Sequence, residues 1–399
     1  MRTIVAAACA LALLAATHRL AIARFANTAA SLVPGSRFPT RLSDGALPNR
    51  VSVIGSGAIV NGAYVVPPGA PPGSATLVAA NAASLAVRTF HIVAPPHAPV
   101  IAVASYQNGI AFHDPRTFAP LGTLATAGSP SDVIAAGGEI AATDTDGSTM
   151  TSVRLRPWNV REIPGILLGD ELAADPPLHA VFVTERELNG KGGLARVSGD
   201  RVATIVTGTT AEGIAIDVRT QRVYVADVND DAVAIVDAKR MRVVGRIRHV
   251  PRAFSLALSR DGRRLYVVSN QSESTFLAAA GRVTEIALGP GGPRVAARSS
   301  PLEFPVGIAL GTLGRVFVTD EQSNVVDVLN ARTLRVAHAP VGTCRTPWAP
   351  TLDVRSHRLY IPCAGSNEVD VLDARTLKRV RGAPFQTGGY PLAVSVVRR

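Results

Sequence analysis

The segment most suggestive of chemistry in this chain is an acidic stretch at 227–231, with the sequence DVNDD. Three carboxylates and an amide within five residues could hold a hard cation such as Ca²⁺, which prefers oxygen ligands. Residues 144–147, with the sequence DTDG, have a similar character. Neither segment has the ligand spacing of an EF-hand loop, and the same residue types are frequent in solvated turns. Both segments are therefore predicted to be turns first, and no metal site is predicted.

Other motifs of catalysis or cofactor binding are absent from the sequence. The histidines form no H-x-H, H-E-x-x-H or C-x-x-C-H pattern, which disfavours a transition-metal or haem site. There is no G-x-S-x-G elbow and no glycine-rich loop that opens a helix. The sequence thus predicts no catalytic residue and no cofactor, although a site assembled from several repeats would leave no such motif.

The cysteines predict one disulfide. The chain has three, and Cys9 lies in a segment that reads as an export signal. Cys344 and Cys363 then remain as an even pair in an oxidising compartment. A bridge between them would close a loop of roughly 20 residues and stabilise the fold by about 3 kcal/mol. The alternative is a reactive or metal-binding thiol pair.

A repeat of roughly 42 residues organises the chain. Its clearest copy contains the segment RVYVAD at 222–227, and related segments occur upstream and downstream. The residues that align with its tyrosine are Ala102, Ala141, Phe182, Tyr224, Tyr266, Phe317 and Tyr360. Each copy contains four short apolar segments separated by polar turns, which is typical of a β-propeller blade.

Seven aligned positions predict an all-β fold, a seven-bladed β-propeller. The C-terminal segment PLAVSVV at 391–397 looks like the first strand of a further repeat that does not continue. We expect it to close the ring by pairing with the strand that begins near Ile101, because this removes two open sheet edges.

These repeats resemble the YVTN β-propeller family. The resemblance is carried by the motif that ends in L-Y-V-A-N and continues into V-S-V-I-D, matched here by RVYVADVNDDAVAIVD at 222–237. It covers about residues 175–399 well and 100–174 poorly. It implies an exported or surface-associated binding protein and says little about chemistry.

The N-terminal quarter of the chain lies outside the repeats. Residues 1–23 read as a signal peptide, with Arg2, a short apolar stretch and an A-I-A cleavage site at 21–23. Residues 24–99 are predicted to form a linker and a small β appendage, and residues 100–399 the propeller. No segment is long enough to span a membrane. The expected location is therefore periplasmic or secreted.

One face of the predicted propeller collects aromatic and acidic residues. In a propeller the first strand of each blade lines the central channel, and the connections between blades meet at one end of it. The candidate ligand-binding residues at this mouth are Asp132, Glu212, Phe254, Phe304, Trp348 and Tyr390. Exposed aromatic side chains together with carboxylates would form a plausible ligand cup. The alternative is that the aromatic rings pack between blades as part of the core.

The opposite face collects basic residues. The chain has a formal net charge of +11, and only three of its 41 basic residues are lysines. The candidate polyanion-binding residues are Arg222, Arg263, Arg264 and Arg358. A basic face would attract polyanions in a salt-dependent manner. Alternatively, these arginines only cover solvated turns in a chain rich in arginine.

Together these patterns predict an exported, non-catalytic β-propeller, monomeric, that binds a protein or a cell-envelope polymer. One alternative is an enzyme or a redox-complex subunit, of hydrolase or lyase type, with its site at the channel mouth. The other is binding of a polyanion or nucleic acid through the basic face, which the export signal and the lack of a basic-aromatic stripe disfavour.

Overall fold

The computed structural model describes residues 21–42, 46–81, 84–126, 128–188, 190–270 and 281–398. Within these ranges the chain is all-β, as predicted, and its only helices are two single turns of 3-10 helix, Pro176–Leu178 and Ala364–Ser366. The predicted signal sequence lies mostly outside the described residues. In the described part of the chain, no helix has the length and apolar character needed to cross a membrane.

The N-terminal region forms one small sheet and part of a larger one. Its strands are β1 (Ala21–Ile22), β2 (Ser31–Leu32), β3 (Arg37–Pro39), β4 (Arg50–Gly55), β5 (Ala58–Val60), β6 (Ala63–Val65), β7 (Gly73–Ala80) and β8 (Ser84–Ile92). The order of one sheet is β2-β8-β7-β4, and that of the other is β3-β6-β5. The rings of Phe38, Tyr64 and Phe90 lie 5.4–6.1 Å apart and belong to the core of this region.

The rest of the chain repeats a four-stranded antiparallel sheet. Its strands in chain order are β9 (Val100–Ser105), β10 (Gly109–His113), β11 (Pro120–Leu124), β12 (Val133–Ala136), β13 (Glu139–Asp144), β14 (Thr149–Leu155), β15 (Trp158–Pro164), β16 (Gly169–Asp175), β17 (Ala180–Leu188), β18 (Lys191–Ser198), β19 (Arg201–Gly208), β20 (Ala211–Asp217), β21 (Arg222–Asp227), β22 (Ala232–Asp237), β23 (Arg242–Arg248), β24 (Ala253–Leu258), β25 (Arg264–Ser269), β26 (Arg282–Gly289), β27 (Gly292–Arg298), β28 (Pro305–Leu310), β29 (Arg315–Asp320), β30 (Val325–Asn330), β31 (Val336–Gly342), β32 (Thr351–Asp353), β33 (Arg358–Cys363), β34 (Glu368–Asp373), β35 (Phe385–Gln386) and β36 (Pro391–Val397).

Strands β12 to β35 form six sheets of four consecutive strands each, which we number sheet 2 to sheet 7. Sheet 1 has the order β36-β9-β10-β11 and continues through β2 into the N-terminal strands. The C-terminal strand β36 pairs antiparallel with β9 along its length. The first strands of successive sheets contact one another, and β36 contacts both β32 of sheet 7 and β12 of sheet 2. The sheets therefore follow one another around a common axis.

Aromatic side chains fill the spaces between successive sheets. The third residue of the second strand is buried and aromatic in five sheets: Phe182, Tyr224, Tyr266, Phe317 and Tyr360. Each of these rings packs against apolar residues of the following sheet. Burial of such large apolar groups is the main favourable contribution to folding, so this row of rings holds the sheets together.

A recurring turn joins the third and fourth strands. In the turns that begin at Asp114, Asp237, Asn330 and Asp373, the side-chain Oδ1 atom accepts hydrogen bonds from backbone N–H groups two and three residues later, at 2.8–3.1 Å. Because Asp and Asn side chains can accept such bonds from the backbone that follows them, these contacts explain why one of the two residues occurs at this position.

Candidate functional site

A charged cluster lies where the first strands of sheets 2 to 4 begin. At its centre the Arg186 guanidinium, on β17, contacts two acids that are almost fully buried. Its Nη2 atom lies 3.1 Å from Asp170 Oδ1 and 3.0 Å from Glu212 Oε2. The side chains of Asp170 and Glu212 are only 9% and 12% exposed, whereas that of Arg186 is 41% exposed. One guanidinium is thus shared by two carboxyl groups, and its outer surface faces solvent.

Two further acids of the cluster connect neighbouring first strands. The Asp132 carboxylate accepts a hydrogen bond from the backbone N–H of Leu172 in β16, at 2.8 Å. Glu171 accepts one from Ile214 in β20, at 3.0 Å. Burial raises the pKa of Asp132 to about 6 and that of Glu171 well above its usual range. The predicted site residue Asp132 therefore has a structural contact of its own in addition to its position in the charged cluster.

The predicted aromatic residues form two pairs at the same end of the first strands. Phe254, on β24, and Trp348, before β32, have ring centroids 6.4 Å apart, although sheet 6 separates their sheets along the chain. Tyr390 forms a second pair with Tyr106 at 6.4 Å, and the Tyr106 hydroxyl donates to Asp146 Oδ2 at 3.1 Å. All four side chains lie at least partly in solvent. These aromatic residues therefore provide an exposed apolar surface at this end of the fold.

Phe304 is also half-buried at this end, and its backbone N–H donates to Asp320 Oδ2 at 2.9 Å. The structure thus brings Glu212 to Arg186, Phe254 to Trp348 and Tyr390 to Tyr106. Asp170, Glu171 and Arg186 are absent from the predicted site, because no sequence motif contains them and the contacts of Arg186 join two different sheets. Alignment of GDELAAD at 169–175 with AEGIAID at 211–217 would have identified the two acids.

The acidic stretch at 227–231 is bonded to its own protein. Asp227 is fully buried, and its carboxylate accepts from the backbone N–H groups of Thr209 and Thr210 at 2.9 and 3.0 Å. Asp230 accepts from the Thr209 hydroxyl, and Asp231 accepts from the Arg252 N–H at 2.8 Å. Among the described residues, no group of three or more His, Cys, Asp or Glu side chains is placed to hold a metal ion. The stretch is a structural turn.

Asp227 belongs to a recurring arrangement that we call the bracket: a residue at or near the end of a second strand holds the connection that precedes the first strand of its own sheet. Glu185 accepts from Leu167 N–H at 2.8 Å, and Asp320 accepts from Phe304 N–H. Each of these carboxyl groups is at most 1% exposed. In sheet 7 the corresponding residue is Cys363, which forms the predicted disulfide with Cys344, with the two Cα atoms 5.7 Å apart.

The four candidate polyanion-binding residues lie in different surroundings. Arg222 contacts Asp237 at 3.2 Å, and Arg358 donates to Pro115 O at 2.6 Å and lies over the ring of Phe118. Arg263 is exposed, whereas Arg264 is partly buried. Two of the four guanidinium groups therefore stabilise turns within the fold.

No protein-family model matches the chain, and no curated protein matches it. Membership of the YVTN family accordingly stays a prediction. Similar solved structures exist. A functionally unknown protein from Desulfotomaculum acetoxidans DSM 771 matches with a TM-score of 0.64 at 16% identity, over 75% of this chain and 99% of that one. The Pseudomonas aeruginosa periplasmic gluconolactonase matches with a TM-score of 0.59 at 14% identity, over 74% and 98%.

A third similar structure is a β-propeller domain. The β-propeller domain of Cps50 (Swd1) from Myceliophteria thermophila matches with a TM-score of 0.57 at 9% identity, over 69% of this chain and 93% of that one. The fold is a β-propeller. At these identities the likeness extends to the fold alone. Four-stranded sheets of the kind described above are the blades of a propeller, and the charged and aromatic groups lie at the ends of their first strands.

We expect Glu212→Gln to flatten the dependence of propeller stability on pH. Burial, and then the neighbouring Asp170 carboxylate, raise the pKa of Glu212 well above its usual range. A carboxyl group with a raised folded-state pKa contributes stability that is fully present below its unfolded pKa, about 4.3, and is lost as pH rises towards the folded pKa. Glutamine does not titrate. In urea unfolding, the variant should therefore lose less stability than the wild type between pH 5 and pH 9. The difference should be about 1.4 kcal/mol or more, the free energy that corresponds to one pKa unit.

The control for this experiment is Glu162→Gln, a variant of a half-exposed carboxylate on β15. It should follow the wild-type profile. Parallel pH profiles for wild type and Glu212→Gln would contradict the expectation.

Proposed function

We propose that the chain is an exported, ring-closed propeller of seven blades, of the YVTN type, that binds a protein or cell-envelope partner without catalysis. Its binding surface is the mouth, defined here as Arg186, Asp170 and Glu212 together with Tyr106, Tyr390, Phe254 and Trp348. The observation that carries this proposal is the presence of two half-exposed aromatic pairs beside one charged cluster at the same end of the first strands.

The chemistry of the mouth suits a partner with mixed apolar and polar contacts. Aromatic side chains and arginine are enriched where protein interfaces contribute most to affinity. Trp348 is partly exposed, and its buried Nε1 atom makes no hydrogen bond within the described part of the chain. Since a buried indole N–H usually finds an acceptor, a partner could supply one after a small movement of this side chain.

Two observations support export. The first 16 residues contain one positive charge followed by an apolar stretch, which is typical of a secretory signal. The Cys344–Cys363 disulfide is consistent with an oxidising compartment. The contacts of β36 with β9, β12 and β32 support seven blades and closure of the ring.

The test is capture from the cell-envelope fraction of the source organism, followed by affinity measurement with the purified partner. Trp348→Ala combined with Tyr390→Ala should weaken the affinity at least tenfold, because both aromatic pairs are lost. Arg263→Ala, on an exposed turn of the other face, should bind like the wild type. Circular dichroism should show that all three proteins are folded. Equal affinity for the mouth variant would overturn the proposal.

Catalysis at the same mouth is the second candidate. The observation that favours it is the clustering of carboxyl groups with raised pKa values, Asp132, Glu171 and Glu212, which is frequent in active sites. One similar propeller is a gluconolactonase. Hydrolysis of gluconolactone that is abolished in Glu212→Gln would favour this candidate over pure binding.

Polyanion binding is the third candidate. It would be favoured by salt-dependent binding to heparin that is lost in the double variant Arg263→Glu/Arg264→Glu.

A further inference from the structure

A second site lies between sheets 2 and 3, away from the mouth. In sheet 2 the residue that aligns with the row of rings is Ala141 on β13. The strand pairing places Ala141 opposite Ile134 and Ser152, at the register where Tyr224 lies opposite Ala215 and Ile235 in sheet 4. A methyl group thus occupies the position at which five other sheets carry a buried aromatic ring.

A cleft of about 510 Å³ is present at this position. Ala141 lines it from sheet 2, and Val181, Val197 and Gly199 line it from sheet 3. Ile134 is larger than the small residue found at the matching place in other first strands, but it does not line the cleft. The cleft therefore lies where five other sheets place an aromatic ring against the next sheet of the chain.

The cleft has a buried apolar wall and charged side chains at its rim. The lining side chains of Met150, Ile163 and Val197 are at most 3% exposed. At the rim, Glu139 contacts both Arg154 and Arg161, at 2.5 and 3.1 Å, and Arg161 also contacts Asp200 at 2.9 Å. Two guanidinium groups thus face the carboxylates of Glu139 and Asp200. The Asp175 carboxylate also lines the cleft and accepts from Gln221 Nε2 at 3.0 Å. Since these charges pair with one another, the cleft favours a neutral ligand over a free anion.

The neighbouring sheets indicate which polar group such a ligand would carry. In sheet 5 the ring at the matching position is Tyr266, and its hydroxyl donates to Ala331 O at 2.6 Å. Ala331 lies in the turn between the third and fourth strands of sheet 6. The matching turn of sheet 3 contains Gly199, which lines the cleft. A ring held in the cleft can therefore direct a donor towards this turn.

We propose that the cleft between sheets 2 and 3 binds a small neutral molecule with one aromatic ring and a hydroxyl donor, the chemical class of phenol. The ring takes the place of the missing side chain at Ala141, and the hydroxyl takes that of the tyrosine hydroxyl. Apolar cavities in proteins bind single-ring aromatic molecules when the shape fits, and ligand pockets typically have volumes of 300–1,000 Å³.

The test uses 4-fluorophenol as the probe and ¹⁹F NMR titration as the readout. The wild-type protein should show saturable binding that unlabelled phenol displaces and that benzoate and cyclohexanol displace at least tenfold less well. The double variant Ile134→Ala/Ala141→Tyr reproduces the Ala215–Tyr224 pair of sheet 4 and should weaken binding at least tenfold. Ile134→Ala alone keeps the cleft and should bind like the wild type.

Ala141→Leu is a second, smaller filling variant, so the test does not depend on the folding of the double variant. It should also weaken binding, and its urea midpoint should not fall below that of the wild type. Unsaturable binding in the wild type, or equal binding in the filled variants, would overturn the proposal. Displacement by benzoate as strong as by phenol would overturn the assignment of a neutral ligand.

Discussion

Gly208→Ala is expected to lower the free energy of unfolding by about 3 kcal/mol, since it removes hydrogen bonds to a buried charged group. A Cβ atom at Gly208 would lie 1.1 Å from Asp227 Oδ2. That carboxylate is fully buried and holds the backbone of Thr209 and Thr210. The alanine can be accommodated only if Asp227 moves, and this movement breaks the bracket of sheet 4.

The matched control is Gly342→Ala. Gly342 ends the fourth strand of sheet 6 as Gly208 ends that of sheet 3, and each is followed by threonine. A Cβ atom at Gly342 would have no atom within 4 Å, so this variant should keep the wild-type stability or gain slightly. Equilibrium urea unfolding of the two variants provides the measurement. Equal midpoints would show that the bracket is not rigid.

A double-mutant cycle identifies the cause. In an Asp227→Ala background the carboxylate that blocks the Cβ atom is absent. Adding Gly208→Ala to this background should therefore lower the free energy of unfolding by less than about 1 kcal/mol. Simple additivity of the two losses would mean that alanine acts through the backbone rather than through the carboxylate.

Removal of the disulfide is expected to have an effect of similar size. Replacement of both Cys344 and Cys363 by serine opens a loop with a sequence separation of 19 residues. The chain-entropy relation gives a loss of about 3 kcal/mol for a loop of this length. The bond also holds the connection that carries Trp348, whose backbone N–H donates to Pro362 O at 2.8 Å. The loss of stability should therefore be accompanied by a change in Trp348 fluorescence.

The reducing agent provides the internal control for this prediction. Unfolding of the wild-type protein in urea with a phosphine reductant should approach that of the Cys344→Ser/Cys363→Ser variant. The variant itself should not respond to the reductant. If the wild type and the variant unfold at the same urea concentration under oxidising conditions, the disulfide makes no net contribution.

The fold was accessible from sequence because five of the seven repeats place one large ring at the same register. Tyr224, Tyr266 and Tyr360 lie in short apolar strands bounded by turn residues, and this pattern alone predicts a buried second strand. The disulfide was also predictable, since its two cysteines fall in one repeat. The interpretation of the acids was less complete. The sequence predicts a polar turn at Asp227, yet the side chains of Asp227 and Asp320 are both buried.

The burial of these acids follows from the position of their strands, which are buried on both faces. Asp227 and Asp320 end these strands where the chain bends towards the connection. Sequence alone does not show that a backbone N–H group will meet the carboxylate there. The same limit applies to Arg186, because its two acidic partners lie on different first strands. Such a contact depends on how neighbouring sheets are placed, which no local pattern encodes.

The pairing of β36 with β9 has a kinetic consequence. These strands lie almost 300 residues apart in the chain, and contacts of such large sequence separation slow folding because a long loop must close first. Until β36 arrives, β9 presents a row of unpaired backbone groups that can pair with another chain. The last strand should therefore limit the rate at which the native state forms, and unfinished chains should aggregate as their concentration rises.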